Sequence, residues 1–197
     1  MAAPIPDWYN DLDGSLVEAW RQISRGVSDR KSGFHTMAVA TNGLNGAPQL
    51  RTVVLRAVSV AERSLTFHTD RRAGKVAELE ADPRIALHFY VVQAKLQLRL
   101  AGKATLHRDD DIMEVAWAAT RPFSRECYRV TPDSAAPIGN PDEAEFELDD
   151  EGARQNFCAV RVVVDELEWL YLHSVGHRRA RYTWSSTGDY LSTWLVP

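Results

Sequence analysis

The chain has 197 residues, 45% of them hydrophobic and 25% charged, and its 27 acidic against 23 basic side chains give a formal net charge of −4. That is the composition of a globular chain able to bury a sizeable core, and its acidic balance excludes nucleic-acid binding by bulk electrostatics, so any anion site must be a local cationic patch. Two cysteines (Cys127 and Cys158) without CxxC spacing, and six histidines without an HxH or HxxxH pair, argue against a zinc site, another metal centre or a disulfide scaffold. No apolar run approaches the ~20 residues of a membrane span. Residues 1–7 lack the charged-then-apolar plan of a signal peptide, so the cytoplasm is the expected compartment.

A single domain over residues 1–197 is expected. Residues 1–12, with Pro4 and Pro6, read as a loosely docked arm. Ser15-Leu16-Val17-Glu18 has the spacing of a capping box and predicts a helix to about residue 25, with Leu16, Ala19, Trp20 and Ile23 on one face and Gly26 as its stop. Strands are expected over 34–41, 49–60 and 64–69, joined by turns too short for crossovers, hence an antiparallel meander. Residues 71–81 predict a helix ended by Asp82-Pro83. Residues 84–92 form a strongly apolar strand. Residues 95–106 alternate cleanly, with Leu96, Leu98 and Leu100 inward and Gly102 marking a bulge. A helix over 109–120 and a short one opened by Pro122 follow.

Residues 131–155 carry three prolines and seven acids between Asp142 and Glu151, which predicts a solvated loop. Four strands, 156–164, 166–173, 178–184 and 190–196, complete the chain, the last two joined by a turn at 186–189. About nine strands with short turns and few helices make a mostly β fold, a closed or nearly closed antiparallel barrel with flanking helices.

The chemistry-bearing residues are cations. Arg51 and Arg56 bracket a β-branched strand, and strict alternation puts them on opposite faces unless a bulge intervenes. Arg71, Arg72 and Lys75 fall in the expected first turn of the 71–81 helix, where the helix dipole disfavours cations, and a bound phosphate would resolve the conflict. Arg178, Arg179 and Arg181 crowd one strand, and something anionic must sit among them. No P-loop, GxGxxG or GxSxG motif is present.

Taken together these segments resemble the pyridoxamine 5′-phosphate oxidase family. Arg51-Thr52-Val53-Val54-Leu55-Arg56 is similar to its Arg-x-Val-Leu-Leu-Lys strand, Phe67-His68-Thr69-Asp70 to its Phe-Tyr-Thr-Asn, and Asp82-Pro83-Arg84-Ile85-Ala86-Leu87-His88-Phe89 to its Asn-Pro-Arg-Val-Ala-Leu-x-Phe. Lys75 falls at the Lys of its Ser-Arg-Lys triplet, Gln97 at its Arg-Gln-Val strand, and Arg121-Pro122 with Ser124 at its Arg-Pro-x-x-Ser segment. Asn156-Phe157 and Leu195-Val196-Pro197 echo its Asn-Trp and Leu-x-Pro. The resemblance covers about residues 20 to 197, and the order and spacing of the motifs carry it.

The resemblance implies an FMN-binding split β-barrel and a homodimer with FMN at the subunit interface. It assigns the FMN phosphate to Arg51 and Lys75, the flavin to Thr52, Val53, Val54, Leu55, His68, Thr69 and Gln97, and a further contact to Arg181. Arg56 and Arg179 fall at the chemistry; Trp117, Arg121, Ser124, Arg125, His177 and Arg179 fall at a small anionic or phosphorylated substrate. Departures are concentrated on the substrate side. Ala73-Gly74 replace the Ser-Arg of the triplet, with Arg72 or Arg71 as substitutes. Arg56 replaces Lys, His68 replaces Tyr, and Trp117 stands for Tyr. Leu170 stands for the flavin-side Trp, Ser124 comes one residue early, and His177-Arg178-Arg179 stand for Arg-x-His. The implied activity is an FMN-dependent oxidase taking a hydride from an amine-bearing carbon, with dioxygen reoxidising the flavin. Alternatives are a flavin-binding or sensing protein without turnover, a flavin reductase with a nicotinamide donor and, weakest, a nucleic-acid-binding barrel.

Overall fold

The computed structural model describes residues 4–185 and 187–197; residues 1–3 of the expected arm and residue 186 of the last expected turn lie outside the described residues. Among the described residues eight strands are formed: β1 Thr36–Asn42, β2 Pro48–Ser59, β3 Ser64–Asp70, β4 Arg84–Val91, β5 Leu96–His107, β6 Phe157–Tyr171, β7 Arg178–Trp184 and β8 Tyr190–Leu195. They pair antiparallel in the order β3-β2-β1-β4-β5-β6-β7-β8, and β3 also pairs with β6. That extra pairing closes six strands into a barrel, which leaves β7 and β8 as an extension running off β6. Around it lie α1 Leu12–Ser28, α2 Gly74–Ala81, α3 Asp111–Ala119, α4 Pro122–Arg125 and α5 Asp150–Gln155.

Alternation fills the barrel. Val53 and Leu55, Leu65 and Phe67, Leu87 and Phe89, and Leu96, Leu98 and Leu100 point inward and are buried. Trp20 and Ile23 of α1 and Leu79 of α2 join the same core. A satellite core under α3 packs Met113, Trp117, Tyr128 and Phe157 together, with Trp117 and Phe157 ring centroids 5.3 Å apart.

The nine expected strands are eight because residues 156–164 and 166–173 form one strand. The β5–β6 ladder runs through the junction, pairing Gly102 with Val164 and Ala101 with Glu166, so Asp165 is the extra residue of a bulge and not a turn. Gly102 sits opposite because a Cβ there would lie 2.0 Å from the Val163 carbonyl oxygen. At this bulge β6 passes from its barrel partner β3, paired through Val163, to its extension partner β7, paired from Glu166 onward.

Helix boundaries also differ from expectation. α1 begins at Leu12 with Asp11 as its cap, accepting from the Asp13 N–H at 3.1 Å. Ser15 is therefore inside the helix, buried, and hydrogen-bonded to Tyr182 Oη at 2.7 Å, while Glu18 takes Arg21 and Gln22 instead of closing a capping box. Gly26 does not stop the helix. It lies within α1 where the chain at Phe34 crosses, and a Cβ would meet the Phe34 carbonyl oxygen at 2.2 Å. The expected helix over 71–81 starts only at Gly74, since residues 71–73 form the preceding turn.

The arm docks firmly. Tyr9 is 2% exposed and donates to the Gly176 carbonyl at 2.6 Å, and Trp8 packs edge-on against Trp169 and Tyr171. The acidic segment is not only loop. Asp149 caps α5 by accepting from the Gly152 N–H at 2.8 Å, and Asp150 and Glu151 occupy its first turn, where acids complement the helix dipole.

Candidate functional site

Strand β2 supplies two cations to two places. Arg51 shares the parity of Val53 and Leu55 and sits half-buried where β1 and α2 meet. Its Nη2 donates to Glu78 Oε2 at 2.7 Å and its Nη1 donates to Thr41 Oγ1, while Thr41 Oγ1 donates to the same carboxylate. Lys75, in the first turn of α2, donates to Thr69 Oγ1 at 2.8 Å. Burial lowers the Lys75 pKa, and Arg51 lowers it further. Of these two part-buried cations, Arg51 is paired with a carboxylate and a hydroxyl and Lys75 is bonded only to a hydroxyl, with Asp70 and Glu78 nearby. A phosphate fits this donor set, because it would neutralise the excess charge and take charge-assisted hydrogen bonds from both.

The other expected helix-start cations are used by the protein. Arg72 forks onto Asp70, with Nε donating at 3.0 Å and Nη2 at 2.7 Å, and donates to the Thr131 and Val130 carbonyls at 3.0 Å. Arg71 donates to the Gln155 carbonyl and pairs with Asp109. Both therefore stitch the 130s segment and the α5 end to the barrel, and the dipole argument reduces to Lys75.

Arg56 is re-aimed by a bulge. The β2–β3 register shifts between Leu55 and Ala57, leaving Arg56 unpaired in the ladder. It lines a cleft of about 510 Å³ with His35, Thr66, His68, Arg121 and Ser124, walled by α3 and the end of α1. His68 packs edge-on to Phe157 with centroids 4.7 Å apart and has its Nδ1 3.4 Å from Thr120 Oγ1. Burial pushes this imidazole down to about 4, with Arg56 adding to the push, so it is neutral at ordinary pH.

Other expected contacts lie elsewhere. Trp117 does not line the cleft; it is core, 7% exposed, with Arg125 stacked on its ring at 4.5 Å. Arg125 caps the end of α3 by donating to the Trp117 carbonyl at 2.8 Å and the Thr120 carbonyl at 3.1 Å. Thr52 and Val54 face outward from the barrel, while Val53 and Leu55 are inside it. Gln97 also faces outward on β5, opposite Leu170, and Leu170 lies opposite Arg179. The anionic group among the C-terminal arginines is Glu168. It accepts from Arg99 at 2.9 Å, Arg179 at 2.8 Å and Arg181 at 3.2 Å, and is shielded from solvent by them. Arg178 instead stacks on Tyr9 and donates to Asn10 Oδ1 at 2.9 Å. His177 and Arg179 line a separate groove with Trp194 and the C-terminal residues.

The site residues thus fall into three groups in one chain: Arg51, Thr69 and Lys75; Arg56, His68, Arg121 and Ser124; and Gln97, Arg179 and Arg181. Sequence reasoning missed Glu78, Thr41 and Glu168, which orient arginines, and Arg30, His35 and Thr120 on the cleft. Among the described residues no group of three or more His, Cys, Asp or Glu is placed to hold a metal ion, and no helix is long and apolar enough to cross a membrane.

Residues 17–108 match the family model described as pyridoxamine 5′-phosphate oxidase, FMN-binding domain. The pyridoxine/pyridoxamine 5′-phosphate oxidase of Rubrobacter xylanophilus is 31% identical over 140 residues, covering 69% of this chain and 63% of that one, less than two thirds of its length. Pyridoxine/pyridoxamine 5′-phosphate oxidase 2 of Arabidopsis thaliana is 27% identical over 193 residues, covering 92% of this chain and 96% of the relative. A crystal structure from Nostoc punctiforme, described as a pyridoxamine 5′-phosphate oxidase-related, FMN-binding protein, superposes with a TM-score of 0.70 at 21% identity over 98% of both chains, which establishes a shared fold. The closed six-strand barrel, the ordered motifs along β2, β3 and β4, and these matches agree: the chain belongs to the pyridoxamine 5′-phosphate oxidase-like family of FMN-binding split barrels.

Proposed function

We propose that the protein is an FMN-dependent oxidoreductase that works as a homodimer on a small anionic substrate. The observation that carries this reading is the Arg51–Lys75 pair, two neighbouring part-buried cations of which only Arg51 has a direct carboxylate partner, at the motif positions the family uses for the FMN phosphate. Glu78 and Thr41 would fix the Arg51 fork, and Thr69 the Lys75 ammonium, so both reach the phosphate preorganised. The outward side chains of Thr52 and Val54, with the strand backbone, would flank the flavin ring.

Gln97 belongs to β5 and Arg179 and Arg181 to β7, strands that pair with neither β2 nor β3 in the same chain. A second copy would bring them to the first copy's β2. Leu50, beside Thr52 on β2, and Tyr90 on β4, 72% and 52% exposed on the outer barrel face, give that contact apolar surface. Arg56, Arg121 and Ser124 would hold the substrate's anionic group against the reactive face. When bound, FMN supplies the redox chemistry, accepting a hydride from an amine-bearing carbon and passing electrons to dioxygen. Neutral His68, next to Arg56, adds no positive charge to the cleft.

The reading is tested by anaerobic mixing of the purified protein with pyridoxamine phosphate, a panel of amines and reduced nicotinamides, following flavin absorbance. Bleaching by an amine supports the oxidase, bleaching only by nicotinamides a flavin reductase, and a colourless protein overturns both. A binding protein without turnover is a second reading. It is favoured by Trp117 and Arg125, which the family's substrate side would use and which are committed here to packing and helix capping. A flavin that no donor bleaches selects it.

A further inference from the structure

Helix α1, the turn between β2 and β3 and the end of β7 enclose a groove of about 390 Å³ that holds none of the three groups of site residues. Leu16 and Trp20 of α1 and Trp184 of β7 line it, and Val17 and Val60, 67% and 51% exposed, carry the apolar surface out to solvent. The lining runs along one stripe of α1 from Leu16 to Ser24, about 12 Å at 1.5 Å per residue, so the groove is elongated. Two cations reach it. Arg21 is already paired: its Nε and Nη2 donate to the Glu18 carboxylate at 2.6 and 2.8 Å. Arg63 is not. Its guanidinium lies 5.6 Å from the Trp184 ring centroid, and among the described residues its only side-chain hydrogen bond is a long one, Nη1 donating to the Gly188 carbonyl at 3.4 Å. Its Nε is buried without a partner. Among the described residues no carboxylate lines the groove, and the neighbouring Glu62 is paired with Arg161. Arg63 also holds a φ of 51°, a left-handed conformation that favours Gly or Asn. An arginine kept there with a buried, unsatisfied N–H costs stability twice, and no ion pair within the chain offsets it.

We propose that this groove binds an unbranched-chain monocarboxylate, its alkyl chain along the α1 stripe against Trp20 and Trp184 and its carboxylate on the Arg63 guanidinium. One unpaired cation matches a single negative charge; a phosphate dianion would call for a second, and Arg21 is held by Glu18. The elongated apolar lining suits a chain bare of hydroxyls, since each hydroxyl would lose its water there for want of partners. The groove lies outside the flavin and substrate residues, so its ligand is independent of the flavin reading.

The test is calorimetric titration of the purified protein with decanoate, decanol and butyrate, each below the concentration at which it forms micelles, with flavin content measured before and after. Decanoate should bind at one site per chain. Decanol and butyrate should each be weaker by at least about tenfold, the first for want of the charged hydrogen bond and the second for want of buried chain. Arg63→Gly takes the left-handed φ without strain, so it should fold and keep its flavin content while binding decanoate at least about tenfold more weakly and decanol as the parent does. Val17→Asp, at an exposed position, should weaken decanoate and decanol alike by about tenfold. The proposal is overturned if decanoate binds no tighter than decanol or butyrate, or if either variant binds decanoate like the parent, which would place the acid elsewhere. It is also overturned if Val17→Asp, with no acid present, changes the sedimentation of the protein, which would give the groove to a second copy of the chain.

Discussion

Arg51 and Lys75 occupy one small region, but physics treats them differently. Arg51 pairs directly with Glu78; Lys75 donates to a hydroxyl, and although Asp70 and Glu78 favour its charge, burial and Arg51 outweigh them and lower its pKa. Lys75→Met should therefore move two observables in opposite directions. Flavin affinity should fall at least about tenfold as a charged contact to phosphate is lost. The flavin-free protein should hold or gain up to about 1 kcal/mol, because a part-buried cation whose burial and Arg51 neighbour outweigh the pull of Asp70 and Glu78 is removed. Equilibrium denaturation of stripped protein beside a flavin titration measures both, and a loss of apo stability would show that Lys75 is already satisfied. His68 makes a second residue-scale prediction. The unfolded imidazole binds its proton near the ordinary 6.5, and the folded one only near about 4. Stability owed to the neutral ring is therefore complete above 6.5 and lost as pH falls through that window, by up to about 3 kcal/mol. Denaturation midpoints of His68→Gln should be flatter over the same interval than those of the parent.

At the scale of elements, the bulges decide where side chains go. The Leu55–Ala57 shift turns Arg56 into the cleft, and the Asp165 bulge hands β6 from the closed barrel to the β7–β8 extension. Gly102 makes the second bulge possible by letting the Val163 carbonyl approach where a Cβ would stand 2.0 Å away. Gly102→Ala should cost roughly 2 kcal/mol or more, read as a lowered denaturation midpoint, since backbone and not a flexible side chain must move. Trp117→Ala tests the satellite core. It should destabilise by about 3–5 kcal/mol while the folded fraction keeps its flavin content, because the ring packs on Tyr128 and Phe157 and does not reach the cleft.

For the molecule as a whole, the question is how three groups of site residues meet. Among the described residues β6 is the only barrel strand that β7 pairs with, and Arg179 and Arg181 are bonded to Glu168 of β6 and not to β2. The proposed dimer makes a quantitative prediction. Arg51→Ala and Arg181→Ala should each lose flavin alone. Mixing the two after subunit exchange should restore up to about a quarter of the sites, because about half of the dimers are mixed and each holds one unaltered site. Absence of any recovery in flavin absorbance, with exchange verified, would place all the contacts within one chain.

Much of this was legible in the chain. Alternation at Leu96, Leu98 and Leu100 and the short turns between β1, β2 and β3 determine an antiparallel barrel, because period-two burial leaves few other solutions. The ordered motifs around Arg51, Lys75 and Arg121 determine the family. The apolar positions Ile112, Val115 and Ala119 of α3 were also present as a spacing, not told apart from Met113 and Trp117 until packing placed those two in the satellite core. The partners of the arginines were not legible. Arg51 finds Glu78 across 27 positions, and Arg99 finds Glu168 across 69. Nor did local pattern distinguish a turn at Asp165 from a bulge, or foresee that Asp11 and not Ser15 caps α1. Sequence determined which residues face inward and which motifs occur, since those depend on local periodicity. Only the tertiary structure decided which cations are spent on protein carboxylates and which, like Arg56 and Arg121, meet none among the described residues, since that depends on charges brought together from distant strands.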